Sequence, residues 1–72
     1  MKRRILITFL SLFLVPCSLL FAQREANNIR KGNKQYNKQD YSAAETNYRR
    51  ALEINKDNYA AQYNLGEALF KQ

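Results

Sequence analysis

The chain has 72 residues, with 12 Lys or Arg, 6 Asp or Glu, one Cys and no His. That length holds at most one domain, and a single Cys excludes an internal disulfide framework. Half of the net charge of +6 comes from Lys2, Arg3 and Arg4, so the remainder carries the modest basic surplus of an ordinary soluble segment, not the charge of a nucleic-acid binder.

The chain opens as an export signal. Met1-Lys2-Arg3-Arg4 is a basic n-region, Ile5 to Val15 is an apolar run broken only by Thr8 and Ser11, and Pro16 precedes Ser18-Leu19-Leu20-Phe21-Ala22-Gln23. Basic head, apolar core and small-residue exit are the layout of a secretory signal cut after Ala22, which makes residues 1–22 a leader and 23–72 the mature segment. Two rival assignments compete. The 18 residues from Ile5 to Ala22 sit at the lower limit for a membrane span, so an uncleaved anchor is one. The other is a lipoprotein box at Leu14-Val15-Pro16-Cys17, with Pro16 where a small residue is usual; Cys17 would then be acylated. Each of the three exports the rest of the chain, with the basic end on the cytoplasmic side, and predicts a product that is periplasmic or tethered facing the periplasm.

From about Arg24 the composition turns to Asn, Gln, Lys, Tyr and Ala, and the pattern predicts three helices: Arg24–Lys38, Ser42–Asn55 and Asn58 to the end. The first is the wettest, with Ile29 and Tyr36 its only large apolar residues and Lys31 and Gln35 where the third has Leu65 and Leu69. In the second, Tyr41, Ala44, Tyr48, Ala51 and Leu52 line one face while Arg49, Arg50 and Glu53 lie mostly on the other. Ser42-Ala43-Ala44-Glu45 fits a capping box, with Asp40 a competing cap two residues earlier. Asp57 or Asn58 caps the third helix, which carries Tyr59, Tyr63, Leu65, Ala68, Leu69 and Phe70.

The first and third helices are copies. Gly32 and Gly66 lie 34 residues apart, and the same shift pairs Ala26 with Ala60, Ile29 with Tyr63 and Tyr36 with Phe70. A glycine within a helix costs about 1 kcal/mol against alanine. Two at one phase of a repeat predict close approach of a partner helix at both points.

Residues 25–72 resemble tetratricopeptide repeats. The resemblance is carried by Gly32, Tyr36, Asp40-Tyr41, Ala44, Tyr48 and Ala51-Leu52-Glu53-Ile54, then by Tyr63-Asn64-Leu65-Gly66-Glu67-Ala68-Leu69-Phe70. It implies an all-α stack with one full unit at about 25–58 and the first helix of a second at 59–72. It also implies that Gly32, Tyr41, Ala44, Tyr48, Ala51, Leu65, Gly66 and Ala68 interlock the helices. Three departures stand out: Gln39 where the family often has Gly, Lys56 where it favours Pro, and an end at Gln72 after one and a half units. Stacks of this kind need about three units, so the expectation is a piece of a longer protein, prone to self-associate through Leu65, Leu69 and Phe70. The export signal with GNKQY, ALEIN and NLGEALFKQ is also similar to the repeat proteins encoded with the aerotolerance (Bat-type) operons of Gram-negative bacteria, which implies an envelope stress or assembly role.

The resemblance places a partner-binding concave surface on Ala26, Ile29, Asn33, Tyr36 and Asn37, then on Ala60, Tyr63, Asn64, Glu67 and Lys71. Of these, Asn33, Tyr36, Asn37, Tyr63, Asn64 and Glu67 carry the groups suited to a peptide. Asn33 and Asn64 match part of the family's carboxylate clamp, but Ile29 stands where the clamp has Lys, so no clamp is assigned. The competing assignment makes Asn33 and Asn64 helix–helix hydrogen-bond partners and Tyr36 and Tyr63 ordinary packing. Catalysis finds no footing: there is no His, the one Cys lies in the leader, and no phosphate loop or metal-ligand spacing is present. The sequence reading is an exported protein-interaction scaffold of the cell envelope, with no enzyme activity, cofactor, metal or nucleic acid. Its alternative is a small membrane peptide held by residues 5–22 with 23–72 as a flexible or surface-bound tail.

Overall fold

The computed structural model describes residues 17–72. Residues 1–16 and the side chain of Cys17 lie outside the described residues, and with them the n-region, the apolar run and the lipidation expectation. Three helices make up the described chain: α1 (Cys17–Asn37), α2 (Tyr41–Ile54) and α3 (Tyr59–Lys71).

α1 reaches back to Cys17, well before the Arg24 expected from the composition change. Between the two lie Ser18-Leu19-Leu20-Phe21-Ala22-Gln23, which contain no Gly or Pro and several good helix formers, so nothing local stops the helix there. Leu19, Leu20 and Phe21 on this extension are all more than half exposed. Among the described residues no helix is long and apolar enough to cross a membrane.

The α1–α2 turn closes by backbone bonds. The Asp40 N–H donates to the Gln35 carbonyl and the Gln39 N–H to the Tyr36 carbonyl, both at 2.9 Å. These are the two bonds of a Schellman closure, which puts the residue between them in the left-handed region. That residue is Gln39, at φ 64°, the position where the family often has Gly. A side chain there strains the backbone by about 1–2 kcal/mol. Gln39→Gly is expected to stabilise the chain by about 1 kcal/mol, read as a melting temperature higher by roughly 4–8 °C.

The same closure sets the start of α2 and corrects the expected cap. Asp40, delivered by the turn, accepts from the Ala43 N–H at 3.2 Å and is the N-cap. Ser42 is already inside the helix, where its carbonyl accepts from the Thr46 hydroxyl at 3.2 Å. Glu45, freed from the expected capping box, accepts from Arg49 Nε at 2.9 Å and from Gln72 Nε2 at 2.8 Å. These partners, Gln72 foremost, hold its carboxyl below the usual range. At the other end of α2 the stop that proline would supply comes from Asn55, whose carbonyl accepts from the Asn58 N–H and whose side chain accepts from the Asp57 N–H. Asn58 then caps α3 by accepting from the Ala61 N–H at 2.9 Å.

The cross-helix bonds give the topology. Partners recede along α1 as they advance along α2: Asn47 Nδ2 donates to Gln35 Oε1 at 2.6 Å, the Tyr48 hydroxyl to Asn33 Oδ1 at 2.7 Å and Asn55 Nδ2 to Glu25 Oε1 at 3.1 Å. α1 and α2 are therefore antiparallel. Glu25 also accepts from Asn58 at the start of α3, and Asn33 from Asn64 further along it, so α1 and α3 run parallel. Gln72 at the end of α3 returns to Glu45 near the start of α2. The core is made mainly of small residues around one ring: Ala44, Tyr48 and Ala68 are buried together, with Tyr36 and Leu65 packed against them, and Ala51 and Ala61 are also buried. Tyr41 is half-buried and meets Tyr36 edge-on at 5.1 Å.

Gly66, the repeat mate of Gly32, is exposed, and among the described residues a Cβ there would meet nothing within 4 Å; the helix expected to approach it is the one that would follow α3. Two expectations change at this level. Leu65 turns inward onto the core, so the exposed apolar face of α3 consists of Tyr59, Tyr63, Leu69 and Phe70. Residues 23–72 form packed helices, not a flexible tail.

Candidate functional site

A cleft of about 230 Å³ opens between α1 and α3, lined by Tyr36, Tyr48, Tyr63, Asn64 and Glu67. Each helix reaches it for a local reason. Tyr36 lies one turn past Gly32 on the inner face of α1, and Tyr41 fixes the attitude of its ring. Tyr63, Asn64 and Glu67 share a face of α3 by their three- and four-residue spacing. Tyr48 forms the floor; it comes up from α2 through the gap left by Gly32, where an added Cβ would lie 2.5 Å from the ring.

The polar groups have distinct states. Asn33 Oδ1 accepts from both the Tyr48 hydroxyl at 2.7 Å and Asn64 Nδ2 at 3.2 Å, which ties all three helices together. The assignment of Asn33 and Asn64 as helix–helix partners describes this geometry. Tyr36 is half-buried against the core, while Tyr63 is 70% exposed at the rim. Glu67 is half-buried. Among the described residues the one ion pair is Arg49–Glu45, so the Glu67 carboxylate faces the cleft without a cation. Asn37 is exposed and lies off the cleft lining.

Two residues acquire roles the sequence did not show. Tyr48, read as packing alone, also presents a hydroxyl at the base of the cleft. Asn47 is buried, and among the described residues its Oδ1 has no hydrogen-bond partner while its Nδ2 bonds to Gln35. Its place one residue before Tyr48, on the flank of the apolar stripe, is the only sequence signal for that burial.

Burial first, and the nearby Tyr36 second, raise the Tyr48 phenol above the usual tyrosine range. A raised acid resists ionisation when folded, so this contribution is complete below the pH at which free tyrosine ionises. It is lost as pH rises through the raised value. The alkaline limb of the stability profile is expected to flatten in Tyr48→Phe and to stay in Tyr59→Phe, as followed by melts across pH.

Helix pairs that bury little but alanine around a tyrosine, repeat at a fixed period and present side chains between parallel first helices define a helical-repeat scaffold. A family model described as TPR repeat matches residues 32–72, more than half of the chain. The chain belongs to the TPR repeat family. Comparisons with curated proteins and with solved structures yield no match. Repeats of this family mediate protein–protein interactions and are typically non-catalytic.

Proposed function

We propose that this chain is an exported interaction scaffold of the cell envelope, which holds a peptide or neighbouring protein on the face shared by α1 and α3. The observation that carries the reading is the tyrosine- and amide-lined cleft on that face, held open by a three-helix hydrogen-bond junction at Asn33. A preformed surface of this kind binds by complementarity and loses little conformational entropy on doing so. The basic and apolar leader supports export, and the similarity to aerotolerance-operon repeat proteins supports a role in envelope stress or assembly.

The test is site-specific photo-crosslinking of the full-length protein in Gram-negative cells. A benzoylphenylalanine at Tyr63 is expected to capture an envelope protein, and the same group at Arg50 on α2 is expected to capture none. Absence of a protein adduct at Tyr63, or equal capture at both positions, overturns the scaffold reading. Labelling of intact cells with a membrane-impermeant reagent tests export separately, and repeats found only in the cytosol overturn it. A second reading retains residues 5–22 as an anchor beneath the folded repeats. It is favoured by α1, which runs unbroken across Ala22 and Gln23 where a signal peptidase would cut. The mass of the mature N-terminus separates the two.

A further inference from the structure

We propose that the cleft takes the cationic side chain of an arginine from the bound partner. This rests on the reading of the α1–α3 face as the binding face. Donors and acceptors in the cleft are unequally committed. The Tyr48 hydroxyl proton and an Asn64 amide proton are both directed to Asn33 Oδ1, so these two donors are already engaged. The Glu67 carboxylate is the opposite case, half-buried on the lining with no cation paired to it among the described residues. Even Lys71, one turn along α3, makes no ion pair with it.

The rest of the lining suits the same ligand. Tyr36, Tyr48 and Tyr63 share the cleft lining with the carboxylate, and the faces of phenol rings attract a cation, more strongly when water is excluded. A planar guanidinium both stacks on such rings and bonds a carboxylate through two N–H groups, which an ammonium cannot do. The volume of 230 Å³ falls below the roughly 300 Å³ at which pockets for drug-sized ligands begin, and so matches a single long side chain. Tyr63, at the rim and 70% exposed, offers its ring to an entering side chain. The net charge of +6 opposes a cation at long range, but screening limits that opposition to distances of about 10 Å or less. Selectivity then resides in the local carboxylate.

The test uses the full chain in a non-denaturing detergent, titrated with N-acetyl-arginine amide, its neutral isostere N-acetyl-citrulline amide and N-acetyl-glutamate amide. Ring resonances of Tyr36 and Tyr63 report occupancy. The arginine compound is expected to shift both, with binding about tenfold weaker for citrulline and for Glu67→Gln. Glu53→Gln, which removes a carboxylate elsewhere, is expected to bind like the parent, and circular dichroism of both variants checks the fold. Equal response to arginine and citrulline, full affinity in Glu67→Gln, or preference for the glutamate compound overturns the proposal. Capture of a protein at Tyr63 without any arginine preference overturns this inference alone, whereas no capture at Tyr63 overturns the scaffold reading beneath it.

Discussion

Gly32→Ala and Gly66→Ala are expected to move stability in opposite directions although the two glycines occupy the same phase of one repeat. Both substitutions gain about 1 kcal/mol of helix propensity. At Gly66 that gain stands alone, because among the described residues the new methyl meets no atom within 4 Å. At Gly32 the methyl would sit 2.5 Å from Tyr48 Cε1 and 2.8 Å from Cδ1. The ring cannot step aside: it is 1% exposed and its hydroxyl is held by Asn33 at 2.7 Å. Overpacking of a rigid neighbour costs about 1–3 kcal/mol, so Gly32→Ala is expected to be less stable by up to about 2 kcal/mol after the propensity gain. Thermal melts of the full chain followed by circular dichroism check both. A Gly32→Ala melt at or above the parent's would show that the ring does not hold that position.

The second large effect is expected from Tyr48 itself. It is the only large side chain that is fully buried among the described residues, and the alanines of the core pack around it. Truncating a buried aromatic to alanine costs about 3–5 kcal/mol, while a folded segment of this size has on the order of 3–7 kcal/mol in total. Tyr48→Ala is therefore expected to abolish the cooperative melt and expose α2 to proteolysis. Tyr48→Phe keeps the ring and loses only the bond to Asn33, so a loss of about 1 kcal/mol is expected. If Tyr48→Ala melted cooperatively within a few degrees of the parent, the alanine-lined core would have some other keystone.

Much of this arrangement could be read from residue spacing. The 34-residue period, the stripe of α2 and a cap at Asp57 or Asn58 all arise from local chemistry that repeats or terminates helices, and the turn at Gln39 is marked by the family pattern. The errors fall where local chemistry is silent. Asp40 and Ser42 are comparable caps, and only the closure of the preceding turn, which presents Asp40 to the Ala43 N–H, selects between them. The change of composition at Arg24 marks where a processing boundary was expected, but helix propensity does not change there, and α1 runs through it. In the cleft, Tyr36, Tyr63, Asn64 and Glu67 followed from the family pattern. Tyr48 did not, because a residue can be core at its ring and site at its hydroxyl. Asn37, equally favoured by that pattern, is exposed beside the cleft and not on its lining.

The length of α1 sets a distance. From Phe21 to Tyr36 the helix advances 15 positions without a break, or about 23 Å at the usual rise, and the one glycine on that path is clasped by the Tyr48 ring. A rod of this kind has no elbow. Whatever grips the N-terminal end fixes the height and bearing at which the cleft meets its partner, and a tilt applied at Leu19–Phe21 arrives at Tyr36 undiminished.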